Sequence, residues 1–214
     1  AAPGVDAPSY ILLILWAEKV ATEGLLDCLM PYSFEDFCAD CAAHADAGAE
    51  GREAIRQCVE RVLAQPDFIA ERFGPAATEG IDVVYEDEAS GLQVLTHVYT
   101  TGKESPPHDH GESWAVYGQA VAHTDMTIWR RSDDGTKTGH AKVEPARTYR
   151  LDPPMAGTFE PGEIHSIRFP TGARFLRVTG KDLKQIATRR YDVTNEAVIE
   201  DTGVSGVVRD TPAR

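Results

Sequence analysis

The chain of 214 residues is poor in basic side chains. Lys and Arg together number 21 against 34 Asp and Glu, which gives a formal net charge of −13 at pH 7. Binding to nucleic acid or to an anionic membrane surface needs a surplus of positive charge, so this balance argues against both kinds of partner. With 42% hydrophobic residues the composition is typical of a globular chain, and we expect a small-molecule substrate.

Long hydrophobic runs are also missing. The most prominent apolar run, residues 10–17, is too short for a membrane span, which needs about 20 apolar residues. Asp6 precedes it and no Lys or Arg does, so the basic start of a signal peptide is absent from this part of the sequence. We therefore interpret the run as a buried helical turn and expect a cytoplasmic protein.

Cysteines are few and confined to the first quarter of the chain, at Cys28, Cys38, Cys41 and Cys58. With His44 they form a Cys-x2-Cys-x2-His pattern, so a zinc site has to be considered. The segment around them is rich in Ala, however, and predicts a helix, in which residues three apart share a face without forming a zinc knuckle. We interpret these cysteines as structural, because Cys is among the most buried residue types.

Residues 1–75 predict mainly helices. Ser33 stands at a position typical of a helix N-cap. Residues 51–65 carry apolar side chains at helical spacing, and Pro66 should stop that helix because proline disfavours the helical conformation of the residue before it. A linker should begin at Gly74-Pro75.

From Ile81 onwards the pattern changes to short extended runs broken by Gly, Pro and Asp. About eight strands are predicted, a number that suits a jelly roll. The predicted strands are residues 81–85, 92–100, 113–123, 127–131, 142–151, 157–159, 164–169 and 173–178. The chain should thus contain a helical segment packed on the barrel (1–75), a β-barrel (76–185) and a C-terminal extension (186–214).

Two histidines one residue apart, His108 and His110, carry the strongest chemical signal. Alternate side chains of an extended strand share a face, so both imidazoles can point to one side while Asp109 points to the other. A third histidine, His165, follows 55 residues after His110, just beyond a Pro161-Gly162 turn. Because neutral imidazole is the commonest metal-binding side chain, the three histidines predict a metal site, with packed or surface histidines as the alternative.

These two motifs resemble those of the cupin superfamily, over residues 80–185. Gly102 stands six residues before His108, and the His-Asp-His run is similar to that of the cysteine dioxygenase-like thiol dioxygenases, which bind ferrous iron with three histidines. The resemblance implies a mainly β fold, the cupin double-stranded β-helix or jelly-roll barrel, to which an N-terminal α-helical segment is added. It also implies that His108, His110 and His165 are the metal ligands.

The departures from these families limit what carries over. Most cupins have a Glu ligand four or five residues after the second His, where this chain has Trp114 and Ala115. Animal-type cysteine dioxygenases place at the Ala115 position a cysteine that is crosslinked to a tyrosine. Their pocket His and Tyr align with Arg177 and Thr179, and their carboxylate-binding Arg falls near Asp82. The fold and a three-histidine site are therefore expected, and cysteine as the substrate is not.

Further pocket residues are candidates with a plainer alternative each. Arg177 could offer its planar guanidinium to a substrate carboxylate or form a structural ion pair. Tyr117 could hydrogen-bond a metal-bound ligand or simply pack in the core, and Glu112 is either a fourth ligand or a carboxylate at the rim. The histidines without partners at ligand spacing are interpreted as structural or exposed: His97, His123 and His140.

The expected function is that of a non-haem iron dioxygenase acting on a small anionic thiol, enolate or hydroxyacid, with Fe(II) as cofactor, O2 as cosubstrate, and a monomer or homodimer as the assembly. Zinc, nickel or manganese at the same site would instead support isomerase, lyase or hydrolase chemistry. A cupin that binds a small ligand without turnover is the third alternative. O2 uptake after anaerobic iron loading distinguishes the first function from the other two.

Overall fold

The structure, a computed structural model, describes residues 32–202 of the chain. The helices are α1 (Phe34–His44), α2 (Gly48–Leu63) and α3 (Pro66–Phe73). The strands are β1 (Gly80–Glu86), β2 (Gln93–Val98), β3 (Lys103–Glu104), β4 (Ala115–Val121), β5 (Thr124–Arg131), β6 (Val143–Leu151), β7 (Ala156–Phe159), β8 (His165–Phe169), β9 (Arg174–Thr179), β10 (Ala187–Asp192) and β11 (Ala197–Thr202). The apolar run at residues 10–17 and Cys28 lie outside the described residues.

Local sequence explains where the helices begin and end. Ser33 caps α1 as predicted, because its hydroxyl accepts a hydrogen bond from the Asp36 backbone N–H at 3.0 Å while the Asp36 carboxylate accepts from the Ser33 N–H. Helix α2 ends before Pro66, also as predicted. Pro66 then occupies the first turn of α3, a helix that was not predicted, where its missing N–H costs nothing. None of the helices in residues 32–202 is both long and apolar enough to cross a membrane.

The strands form two main antiparallel sheets and a separate hairpin. One sheet has the order β1-β2-β9-β4-β7 and the other β3-β8-β5-β6, while β10 pairs with β11. When the edge strand β1 is left out, each sheet has four strands. The eight strands from β2 to β9 are distributed between the two sheets as in a jelly roll. The predicted mainly β jelly-roll fold with a helical N-terminal segment is therefore confirmed, with two facing sheets that do not close into a continuous barrel.

Alternation along the strands divides the five-stranded sheet into two faces. Its inner face carries Tyr117, Phe159 and Phe175, which pack with side chains of the four-stranded sheet in one buried cluster. Its outer face packs against α2. Gly118 makes this contact close, because a Cβ added there would lie 2.2 Å from the Val59 side chain.

One predicted strand boundary was wrong, and one hairpin was not predicted. The strand expected to run through His123 ends at Val121, because Ala122 adopts a left-handed backbone with φ of 62° and β5 starts two residues later. The expected C-terminal extension contains the β10–β11 hairpin, which was not predicted. Strand β10 reads Ala-Thr-Arg-Arg-Tyr-Asp, so polar side chains occupy both faces and no apolar period marks it as a strand.

Candidate metal centre

The three predicted ligands meet inside the jelly roll. His108 and His165 exchange both backbone N–H···O bonds at 2.9 Å, and such a pair holds its side chains next to each other on one face. Their ring centroids are 4.5 Å apart, and the His110 ring lies 4.8 Å from that of His165. All three side chains are buried, and one ring nitrogen of each lies within 4.8 Å of the others, so the group could hold a metal ion.

A tight turn delivers the third histidine. The Glu163 backbone N–H donates to the Glu160 carbonyl at 3.0 Å, and the two central positions of this turn are Pro161 and Gly162. Gly162 has a φ of 73°, which glycine adopts without strain, as expected for a type II turn with proline at its second position. His165 becomes the first residue of β8.

Backbone carbonyls determine which ring nitrogens carry protons. The Nδ1 atom of His108 lies 2.9 Å from the Pro106 carbonyl oxygen, and that of His165 lies 3.2 Å from the Glu163 carbonyl oxygen. Because a carbonyl only accepts, both Nδ1 atoms are protonated and both Nε2 atoms present lone pairs. The His165 Nε2 and the His110 Nδ1 are buried and have no hydrogen-bond partner within residues 32–202, as expected of nitrogens that ligate a metal.

Burial keeps the imidazoles neutral. It lowers the pKa of His110 and His165 well below the usual histidine value, and the neighbouring imidazoles and the Arg177 guanidinium lower both further. Burial also lowers the pKa of His108, although its bond to the Pro106 carbonyl opposes this shift. The site therefore offers a divalent cation three uncharged ligands near pH 7.

The two predicted pocket residues lie beside the histidines. Tyr117 and Arg177 face each other across β4 and β9, with the guanidinium carbon 5.9 Å from the centre of the Tyr117 ring. The Tyr117 hydroxyl lies 3.4 Å from the His110 Nε2. Arg177 is 1% exposed; within residues 32–202 it forms no ion pair, and its Nε has no hydrogen-bond partner. The structural ion pair considered for Arg177 is thus absent from the described part of the chain, and its contact with a substrate stays a prediction.

His97 is a pocket candidate that the sequence interpretation missed. It is buried on the inner face of β2, and its ring stacks on Phe175 with 4.5 Å between centroids. Its Nε2 has no hydrogen-bond partner among the described residues. The register places Leu95 opposite Arg177, so His97 lies two residues along the same face from it. The alternation of side chains along the predicted strand was the available signal, because it places His97 on the same face of β2 as Leu95.

The remaining candidates lie outside the cluster. Glu112 is exposed and forms a 2.6 Å ion pair with Lys181, so it is a rim carboxylate. Asp82 is exposed on β1, away from the inner face. His123 and His140 are partly exposed. Trp114 is buried against Gly180, and Thr179 is buried on the inner face opposite Ala115. The described cysteines lie in α1 and α2, where burial raises the pKa of the Cys38 thiol to about 12.

Comparison with protein-family models and with curated proteins finds no match for this chain. Solved structures that resemble it include the Cnp3 cupin domain of Schizosaccharomyces pombe, with 13% identity over 50% of this chain and 66% of that domain and a TM-score of 0.38. KdgF from a Halomonas species shows 12% identity over 46% of this chain and 76% of its own, with a TM-score of 0.35. A cupin-2 domain protein of Shewanella frigidimarina shows 11% identity over 51% and 89%, with a TM-score of 0.36.

Proposed function

We propose that this protein is a metal-dependent dioxygenase of the cupin type that oxidises a small anionic substrate with O2. Three histidines would hold ferrous iron: His108, His110 and His165. The observation that carries the proposal is the convergence of three buried, neutral imidazoles beside a buried guanidinium, that of Arg177, without an ion-pair partner among the described residues.

The donor set suits a catalytic metal. Imidazole nitrogen is a good ligand for iron, zinc, copper and nickel, and a site with three protein ligands leaves coordination positions open for reactants. When bound, ferrous iron would supply the redox chemistry. Because all three ligands are uncharged, they leave the charge of a divalent ion uncompensated, which favours an anionic donor such as a thiolate, an enolate or a hydroxyacid.

Arg177 supports the same substrate charge. Taking a guanidinium out of water is costly, and an anion that accepts hydrogen bonds from it offsets that cost. A cavity of about 50 Å³ lies against Arg177, and its other lining residues include Gln93, Leu95, Asp182, Leu183 and Lys184. This space is large enough for a small group such as a carboxylate. We therefore assign the anionic end of the substrate to Arg177, with the buried His97 as a second donor.

Tyr117 and the aromatic walls would prepare the reaction. The Tyr117 hydroxyl, next to His110, can donate a hydrogen bond to the reacting end of the substrate. Phe159 lies 4.1 Å from the His165 ring, centroid to centroid, and excludes water from that side. A dioxygenase transfers both atoms of O2 to its substrate and needs no external reductant, and a thiolate that takes up both atoms becomes a sulfinate.

The test begins with metal content. Protein purified without added metal, and protein loaded anaerobically with Fe²⁺, should each hold the ion, and His108→Ala, His110→Ala and His165→Ala should each lose it while His123→Ala keeps it. An O2 electrode then screens small thiols, diketones and hydroxyacids for substrate-dependent uptake by the iron-loaded protein. Full metal content in all three ligand variants would overturn the site. A redox-inert metal without O2 uptake would point to isomerase, lyase or hydrolase chemistry, and an absence of turnover altogether to a binding protein.

A further inference from the structure

The segment that carries the first two histidines is hydrogen-bonded on both sides. On the side away from β8, the Asp109 backbone N–H donates to the Arg189 carbonyl at 2.9 Å, and the Tyr191 N–H donates to the Pro107 carbonyl at 2.8 Å. Residues 107–109 therefore act as a short strand between β8, which begins with His165, and β10 of the C-terminal hairpin. The hairpin is part of the framework that holds the metal-binding segment.

The side chain of Asp109 connects the metal-binding segment to the C-terminal hairpin. It points away from the imidazoles, as its position between them predicts, and it is 1% exposed. Its carboxylate accepts hydrogen bonds from the Gly111 N–H at 2.9 Å, the Arg189 N–H at 3.1 Å and the Tyr191 hydroxyl at 2.9 Å. The Arg189 guanidinium lies 3.7 Å away. A buried carboxylate with three donors locks the backbone on which it sits.

Tyr191 reaches Asp109 from a fixed position. It is 3% exposed and packs in an apolar cluster with Ala141, Val143 and Ile164. Burial, together with the nearby carboxylate, raises the pKa of its hydroxyl, so the hydroxyl stays protonated and donates. From this cluster the hydroxyl reaches the Asp109 carboxylate of the metal-binding segment.

We propose that Asp109 and Tyr191 are positioning residues of the metal centre, whose hydrogen bond fixes the backbone between His108 and His110 so that both imidazoles converge on one ion. This inference rests on the proposed metal binding. Asp109 is bonded to both ligand residues through its own peptide groups, so a change in its backbone turns both imidazoles at once. Metal sites tolerate misplacement of their ligands by only about 0.5 Å.

The experiment uses the full chain and Co²⁺ alone, whose visible absorption reports its coordination. Tyr191→Phe removes the hydroxyl and keeps the ring in its cluster, while Asp109→Asn keeps the size of the acceptor. Each should raise the Kd for Co²⁺ by about 10-fold or more, the scale for losing a supporting hydrogen bond at a metal site, and should change the Co²⁺ spectrum. Tyr149→Phe is the matched control for loss of a tyrosine hydroxyl in the barrel and should change neither.

A second control separates positioning from the general stability of the hairpin. Asp201→Asn removes the Arg190–Asp201 ion pair between β10 and β11 without touching Asp109. If this variant weakens Co²⁺ binding as much as Tyr191→Phe does, the inference is wrong. A lower melting temperature of Tyr191→Phe with Kd and spectrum unchanged would also overturn it. Failure of the wild-type protein to bind Co²⁺ would instead remove the proposed metal site, and this inference with it.

Discussion

Replacing Arg177 by Met should make the protein more stable and less able to bind an anion. The guanidinium is 1% exposed and has no ion pair within residues 32–202. Replacing a buried ion pair by apolar side chains of similar volume often adds about 1–4 kcal/mol of stability, and a guanidinium buried without a partner lacks even the attraction that offsets its loss of hydration. For a chain of this size each kcal/mol corresponds to about 2–4 °C in melting temperature. The variant should therefore melt at a higher temperature than the wild type.

The same change should weaken anion binding. Loss of a charge-assisted hydrogen bond costs about 1.5–3 kcal/mol, which raises Kd by about 10- to 150-fold. Mercaptoacetate and glycolate, titrated into the Co²⁺-loaded protein and followed by its visible spectrum, report this affinity, while metal content should not change. Arg168→Met is the control, because Arg168 is 67% exposed and pairs with Asp125 on the surface.

The signs of the two effects decide between the roles considered for Arg177. A structural ion pair would give the opposite result, because removing one partner leaves a buried carboxylate uncompensated. A lowered melting temperature with unchanged anion affinity would refute our reasoning and remove Arg177 from the site. A raised melting temperature with unchanged affinity would leave Arg177 buried but unused by the substrate.

Three further predictions concern the barrel. No thioether crosslink should form, because Ala115 stands where animal-type cysteine dioxygenases, whose His-Asp-His run this sequence resembles, have their cysteine. An intact-mass loss of two hydrogens that maps to a link between one of the four cysteines and a barrel tyrosine would contradict this. The metal-free protein should lose stability as the pH falls below about 6.5. The pKa values of His110 and His165 are lower in the folded state than in the unfolded chain, so unfolding takes up protons at low pH. Denaturant titrations at pH 7.5 and 5.5 measure the free energy of unfolding, and equal values would argue against this prediction. Gly111→Ala should lower both the melting temperature and the Co²⁺ affinity, because φ is 58° and the new Cβ would lie 2.0 Å from the carbonyl oxygen of Ala187, the first residue of β10. Gly139→Ala, with φ of 72° and open space around it, measures the cost of the backbone strain alone.

Local patterns, together with the resemblance to the cupin motifs, were enough to predict the jelly-roll fold and the three histidines that lie together inside it. The alternation of His108, Asp109 and His110 puts the two imidazoles on one face, since side chains alternate along an extended backbone. The Pro161-Gly162 turn is equally local, because proline and glycine restrict the backbone at the two central turn positions. Apolar periodicity likewise predicted the helix that became α2 and most strands of the two sheets.

Tertiary structure decided which groups have partners. A sequence with 34 acidic residues offers Arg177 many possible ion pairs, and only the folded barrel shows that none of those in residues 32–202 reaches it. His97 looked like an isolated histidine until the register of β2 against β9 placed it near Arg177. The β10–β11 hairpin was not predicted because polar strands carry no apolar period, and its hydrogen bonds to Pro107 and Asp109 join residues about 80 positions apart. Sequence patterns report the conformation of neighbouring residues, whereas the pairing of distant polar groups depends on how the whole chain packs.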